Sequence, residues 1–282
     1  MRGNNFVFTF SYITKSACYR LLPNMIAVKI TFGLLALVAF AYAEEAEEDS
    51  SVSARLEKAN RNVVRRPDEP YVVDDIAYDS EGERNADPCT SRGCLWPKSS
   101  DGKVYVPYYI TNQYSDRERS VIERGLQSFT SSTCIRFIRW NNHRDYVYIK
   151  SDSGCYSYVG RRGNGQNISL DRQGCIYHNT VQHELLHALG FNHEQCRSDR
   201  DQYIRVLLQN VQSGLAYAFD KIATLNQGTP YDYNSVMQYH KYAFSKNGQP
   251  TMQPYPDPNV PFGTAKEMSK NDILRLNRLY KC

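Results

Sequence analysis

"HELLHALGFNH", residues 183–193, carries three of the six histidines of this 282-residue chain, and a glutamate beside the first. A His-Glu-x-x-His arises by chance about 0.006 times in a chain of this length and content, and Gly190 and His193 at fixed offsets make coincidence rarer. Positions i and i+4 stack on one helix face, so His183 and His187 can point at one ion. Gly190 can take the backbone conformation that ends a helix and turns the chain back, bringing His193 round as a third ligand. Three imidazoles leave a coordination position open, the mark of catalytic rather than structural zinc. Such an ion lowers the pKa of a bound water to about 7, and a carboxylate nearby can take its proton. Glu184 has the type and offset for that base. The stretch therefore predicts one zinc ion per subunit and attack of water on a peptide carbonyl, with protein as the substrate.

The bulk numbers agree with a folded enzyme. Apolar content of 41% and charged content of 23% describe an ordinary globular domain. Residues 30–43 form an uncharged, mostly apolar run after Lys29, ending in Ala41-Tyr42-Ala43. The run is short for a membrane span and ends in a small-x-small cleavage signal, so 1–43 is expected to be a signal peptide, with Met25 as an alternative start. Export makes disulfides the expected state of the later cysteines. Residues 44–84 hold thirteen acidic and six basic residues, whereas 85–282 hold seventeen acidic and twenty-four basic. An acidic leader before a basic domain favours docking, as a propeptide needs. Residues 85–282 read as a single domain. Neither nucleic acid nor membrane is an expected partner, and the expected state is a secreted monomer.

Three runs of strand length, 103–110, 134–140 and 146–150, are rich in β-branched and aromatic residues. Ser115 to Glu118 is a capping box that opens a helix whose Val121, Ile122, Gly125, Leu126 and Phe129 share one face. Asn179 to Gln182 is expected to cap the helix bearing the histidines. Beyond Gly190 regular signals thin out until a last helix after Ser269, with Ile273, Leu276 and Leu279 facing inward.

These residues resemble the astacins, a metzincin metalloprotease family. "HELLHALGFNHEQCRSDRDQYI" (183–204) is similar to the extended astacin zinc signature, and "SVMQY" (235–239) to its Met-turn. The resemblance implies an α+β fold. It comprises an N-terminal subdomain of mixed sheet and two long helices, a largely irregular C-terminal subdomain with a final helix, and an active-site cleft between. It implies His183, His187 and His193 as zinc ligands, Glu184 as base and Met237 as an apolar floor. Tyr239 would be a further ligand that swings away to stabilise the oxyanion. "NADPCTSRGCLWPKSSDGKVYVPY" (85–108) and "GCYSYVGRRGNGQNISL" (154–170) are similar to the six-cysteine hatching-enzyme branch of fishes. That branch also has secreted relatives in kidney and brood tissue. It implies the pairs Cys89–Cys94, Cys134–Cys282 and Cys155–Cys175, which spacing alone leaves open. The family's propeptides carry a "GDI"-type element whose Asp binds the zinc. "VVDDIAY" (72–78) matches it with Asp75, while Asp74 stands where the family has Gly. The propeptide is thus expected as an intramolecular inhibitor. Cleavage after Arg84 would create an amino terminus at Asn85 that pairs with Glu194. Cys196 departs from the pattern and is expected to be a buried free thiol. Asn167, in Asn-Ile-Ser, is a candidate glycosylation site. A catalytically dead zinc-binding or adhesion module is the rival class, against which the intact Glu184 and Tyr239 argue.

Overall fold

The computed structural model describes residues 50–79 and 93–282. The expected signal segment, the cleavage point after Arg84, Asn85 and Cys89 lie outside them. The leader contributes a helix, α1 (Val52–Asn60), and two short strands, β1 (Tyr71–Val73) and β2 (Ile76–Tyr78). The following part supplies β3 (Val104–Ile110), α2 (Asp116–Gln127), β4 (Ile135–Arg139), β5 (Tyr146–Lys150), β6 (Cys155–Tyr158), β7 (Gly165–Leu170) and α3 (His178–Ala188). After α3 come short single turns, a ribbon of β8 (Ile204–Val206) with β9 (Met252–Pro254), and the final helix α4 (Lys270–Tyr280).

One seven-stranded mixed sheet runs in the order β1-β2-β6-β7-β5-β3-β4. Strands β4, β3, β5 and β7 are mutually parallel, and β6 is antiparallel to β7. The leader extends the sheet beyond β6: β2 pairs parallel with β6, and β1 antiparallel with β2. Parallel strands need both faces or a covering layer to stay dry. Val104, Val106, Val147, Ile149, Ile168 and Leu170 are buried in one cluster with Ile122 and Leu126 of α2 and Val181, Leu185 and Leu186 of α3. A second cluster, with Ile204, Phe219, Tyr231, Tyr239, Met252 and Phe262, holds the later part together. Met237 belongs to the first cluster and Tyr239 to the second, so the turn 235–239 lies where the two meet.

The α+β reading holds, and the three expected strands form at β3, β4 and β5. The Ser115–Glu118 box caps α2 with both reciprocal bonds. Three details differ from expectation. Asn179 does not cap α3; the helix starts two residues earlier, after Tyr177, whose carbonyl accepts from Val181 N just beyond the Cys155–Cys175 disulfide. On α4 the deepest residues are Asp272, Arg275, Leu276 and Tyr280, while Ile273 and Leu279 are half-buried. Strands β6 and β7 carry too many Gly, Ser, Asn and Cys residues to stand out by composition. Cys134–Cys282 and Cys155–Cys175 are bridged as the resemblance implies. The first closes a loop of 148 residues, the kind that restricts the unfolded chain most, typically by about 2–4 kcal/mol. Among the described residues no helix is long and apolar enough to cross a membrane.

Packing makes two of these positions testable. A Cβ on Gly125 would lie 2.4 Å from Val181 Cγ1, so α2 approaches α3 only because this position has no side chain. Gly125→Ala should lower stability by about 1–3 kcal/mol through overpacking, despite the better helix propensity. An unchanged melting temperature would show that Val181 gives way freely. Cys196 is a buried free thiol whose Sγ donates to Ala218 O at 3.5 Å, and burial pushes its pKa up to about 12. At pH 8 only about one thiol in ten thousand is then thiolate, so Cys196 should react with a thiol reagent after unfolding and not before. Titration of the native protein, followed by denaturant, checks this.

Candidate metal centre

The histidines are placed by three local devices. Helix α3 presents His183 and His187 one turn apart, their ring centroids 4.7 Å from each other. Gly190 then takes φ 105°, a conformation that suits glycine, and its N–H donates to His187 O at 2.8 Å. The reversed chain brings His193 back, its ring centroid 4.8 Å from that of His187. Two backbone carbonyls fix the rings. His183 Nδ1 donates to Val236 O at 2.8 Å, and His187 Nδ1 donates to Phe191 O at 2.7 Å.

A carbonyl only accepts, so both Nδ1 atoms carry hydrogen, and a neutral ring then keeps its lone pair at Nε2. Those two Nε2 atoms lie 3.1 Å apart. Asp75 faces them, its Oδ2 2.9 Å from His183 Nε2, with Oδ1 3.5 Å from His187 Nε2 and 3.0 Å from His193 Nε2. One ligand atom from each of Asp75, His183, His187 and His193 falls within 4.8 Å of all the others, and all four residues are buried. Converging lone pairs with tautomers set by outer hydrogen bonds are the donor set of a zinc site. The residues fit the ion.

Burial tends to raise the Asp75 carboxyl, but His193 and His183 beside it hold its pKa well below the usual range. Asp74 and Glu184 go the other way, both raised by burial and by the Asp75 charge. His187 is lowered to about 4, chiefly by burial. Glu184 is fully buried, and neither carboxylate oxygen has a hydrogen-bond partner among the described residues. Such a group is costly unless it has a task.

Asp74 and Asp75 form the two-residue tip between β1 and β2, and Asp74 has φ 58°. The left-handed conformation suits Gly and is tolerated by Asp. Tyr239 is buried, with its ring centroid 4.6 Å from that of His193, and its hydroxyl donates to Asp74 Oδ2. Burial, then Asp74 and Asp75, raises its phenol well above the usual value. Met237 is buried in the α3 cluster, and its carbonyl accepts Glu194 N at 2.9 Å.

Glu194 is 2% exposed, so it is no solvated loop residue. Among the described residues its carboxylate is met by Arg275 and Arg197, neither of which carries a local signal in the sequence. Only the fold brings α4 to the third histidine. Asn167 sits mid-strand in β7, half-buried and opposite Tyr148, rather than in a surface loop.

The sequence model of the astacin peptidase family matches residues 94–281. High choriolytic enzyme 1 of Oryzias latipes is 48% identical over 200 residues, covering 71% of this chain and 74% of that one. The low choriolytic enzyme of the same fish is 45% identical over 201 residues, covering 71% and 74%. The solved structure of high choriolytic enzyme 1, described as a hatching enzyme zinc-protease, matches with a TM-score of 0.66 at 48% identity. It covers 68% of this chain and 96% of that one. With three histidines and a glutamate gathered in a buried site, this chain belongs to the astacin family and is a zinc metalloendopeptidase.

Proposed function

We propose that the chain is a secreted zymogen. In this reading 1–43 is a signal peptide, 44–84 an inhibitory propeptide, and 85–282 a monomeric catalytic domain that degrades extracellular protein. Egg-envelope protein is the proposed substrate, on the strength of the choriolytic relatives. The observation that carries the proposal is the hairpin tip: Asp75 contacts all three imidazoles while Asp74 accepts from Tyr239.

His183, His187 and His193 would hold the zinc, with Asp75 as the leader's ligand. When bound there, the ion supplies the Lewis acidity that brings a water's pKa to about 7. Glu184, with both oxygens unpartnered among the described residues, is the group to accept a proton from that water and pass it to the leaving amine. Tyr239 has a hydroxyl that can donate to a developing oxyanion once Asp74 is gone. Met237 closes the apolar side below.

The rest of the leader supports latency. Glu57 of α1 accepts from His240 Nε2 at 2.8 Å and from Phe244 N at 3.1 Å. Asn60 bonds both the Asp74 carbonyl and the backbone of Cys155. Strand β2 covers the edge of β6, which without it offers a backbone template to an extended peptide.

Glu184→Ala should retain stoichiometric zinc and lose about 10²–10⁴ in kcat, because the ligands remain while the base is gone. Peptide hydrolysis near the wild-type rate would end the mechanism. Tyr239→Phe should lower kcat by about 10²-fold with little change in KM. The uncleaved chain should be inactive; Asp75→Ala should leak activity before any cleavage, and Asp74→Gly should leak less, since Asp75 still blocks the site. Equal latency of all three uncleaved chains against a fluorogenic peptide would mean that bulk alone blocks access.

A further inference from the structure

Glu194 directly follows the third histidine, and what holds it comes from elsewhere in the chain. Its N–H donates to Met237 O at 2.9 Å, tying the His193 turn to the Met-turn. Its carboxylate accepts both arms of the Arg275 fork, Nη2 to Oε1 at 2.8 Å and Nη1 to Oε2. Asp232 N adds a bond at 2.7 Å, and Arg197 Nη1 another at 3.4 Å. Arg275 is itself fixed, with Nε donating to Thr229 Oγ1 at 2.7 Å and Nη2 to Pro230 O at 2.9 Å. A guanidinium held in this way matches a carboxylate geometrically, as an ammonium cannot.

Two guanidiniums therefore face one buried carboxylate while the leader is still attached. The family resemblance gives Glu194 a different partner, the amino group created at Asn85. A cavity of about 70 Å³, lined by Asn192, His193, Glu194, Arg197, Gln227 and Arg275 among others, opens beside the pair. An ammonium entering it would meet a carboxylate already neutralised and two cations that repel it.

We propose that Arg275 is a positioning residue of the metal centre. It supplies the counter-charge of Glu194 in the uncleaved chain, fixes the His193 turn against the Met-turn, and makes catalysis independent of the exact mature amino terminus. The proposal rests on the reading of His193 as a zinc ligand.

The test compares the full-length wild type with Arg275→Gln, Glu194→Gln and the double variant, each loaded with zinc and challenged with a chelator. Arg275→Gln should give up zinc at about 10–100-fold lower chelator concentration, the usual effect of losing an outer partner of a ligand. The double variant should hold zinc better than Arg275→Gln alone, because it no longer buries a carboxylate that has lost its two-armed partner. After proteolytic release of the leader, Arg275→Gln should lose kcat by about tenfold or more with KM within about threefold. Arg275→Lys, which keeps the charge and loses the fork, should fall between. One residue inserted between Arg84 and Asn85 of the full chain should leave kcat/KM of the processed enzyme within about twofold. Wild-type zinc retention and kcat in Arg275→Gln would overturn the proposal, as would a lower melting temperature with zinc retention unchanged. Loss of activity on the insertion would overturn it too, by making the amino group the true partner. A wild type that binds no zinc would sink the preceding reading as well, which the variants alone would not.

Discussion

Two imidazole nitrogens, each keeping its lone pair in the neutral ring because the other nitrogen donates to a backbone carbonyl, stand 3.1 Å apart in a buried site. That arrangement is unfavourable for the bare protein, since lone pairs repel and burial lowers the affinity of His187 for a proton. The surrounding fold imposes it. Helix α3 packs against the sheet and against α2, at a contact where a Cβ on Gly125 would run into Val181. The carbonyl that orients His183 belongs to Val236, whose own N–H donates to Asp272 Oδ2 at 2.9 Å. Asp272 also caps α4 and accepts from Ser235 Oγ at 2.6 Å. The final helix thus reaches the metal centre twice, through Asp272 on the Met-turn and through Arg275 on the third-ligand turn.

Much of this is legible in the sequence, for identifiable reasons. The histidine spacing, the Ser115–Glu118 box and the apolar runs at β3, β4 and β5 are local signals, and the structure forms each of them. The features that stay hidden are those whose partner lies far along the chain. Arg275 looks like any charged helical residue until α4 is placed against Glu194. Asn179 has the composition of a cap, yet the disulfide at Cys175 fixes the helix entry first, and the Asn179 carboxamide meets Arg55 of the leader at 3.4 Å instead. The structure of the leader is hidden for a similar reason. Its strands are three residues each and stand only because β6 offers them an edge.

The leader also shows how charge is handled when carboxylates crowd together. Asp75 is stabilised as an anion by the imidazoles, whereas Asp74 and Glu184 are driven towards their neutral forms by burial and by Asp75. Of the three acids, Asp75 is the one held towards its charged form, and it is the one that faces the ligands. Asp74 takes the left-handed turn that Gly would also allow and adds a partner for the Tyr239 hydroxyl.

The bond between Cys134 and Cys282 has a temporal meaning as well as an energetic one. A chain is made from its amino end, and domains form as their residues become available. Asp75 is synthesised long before His183, and Arg275 and Cys282 long after. The histidine turn and the Met-turn cannot be clamped until α4 has emerged, and α4 is pinned in place when Cys282 finds Cys134. A protease assembled in this order has the hairpin that sets Asp75 against the histidines made before its last structural support, so the metal centre is never completed ahead of that hairpin.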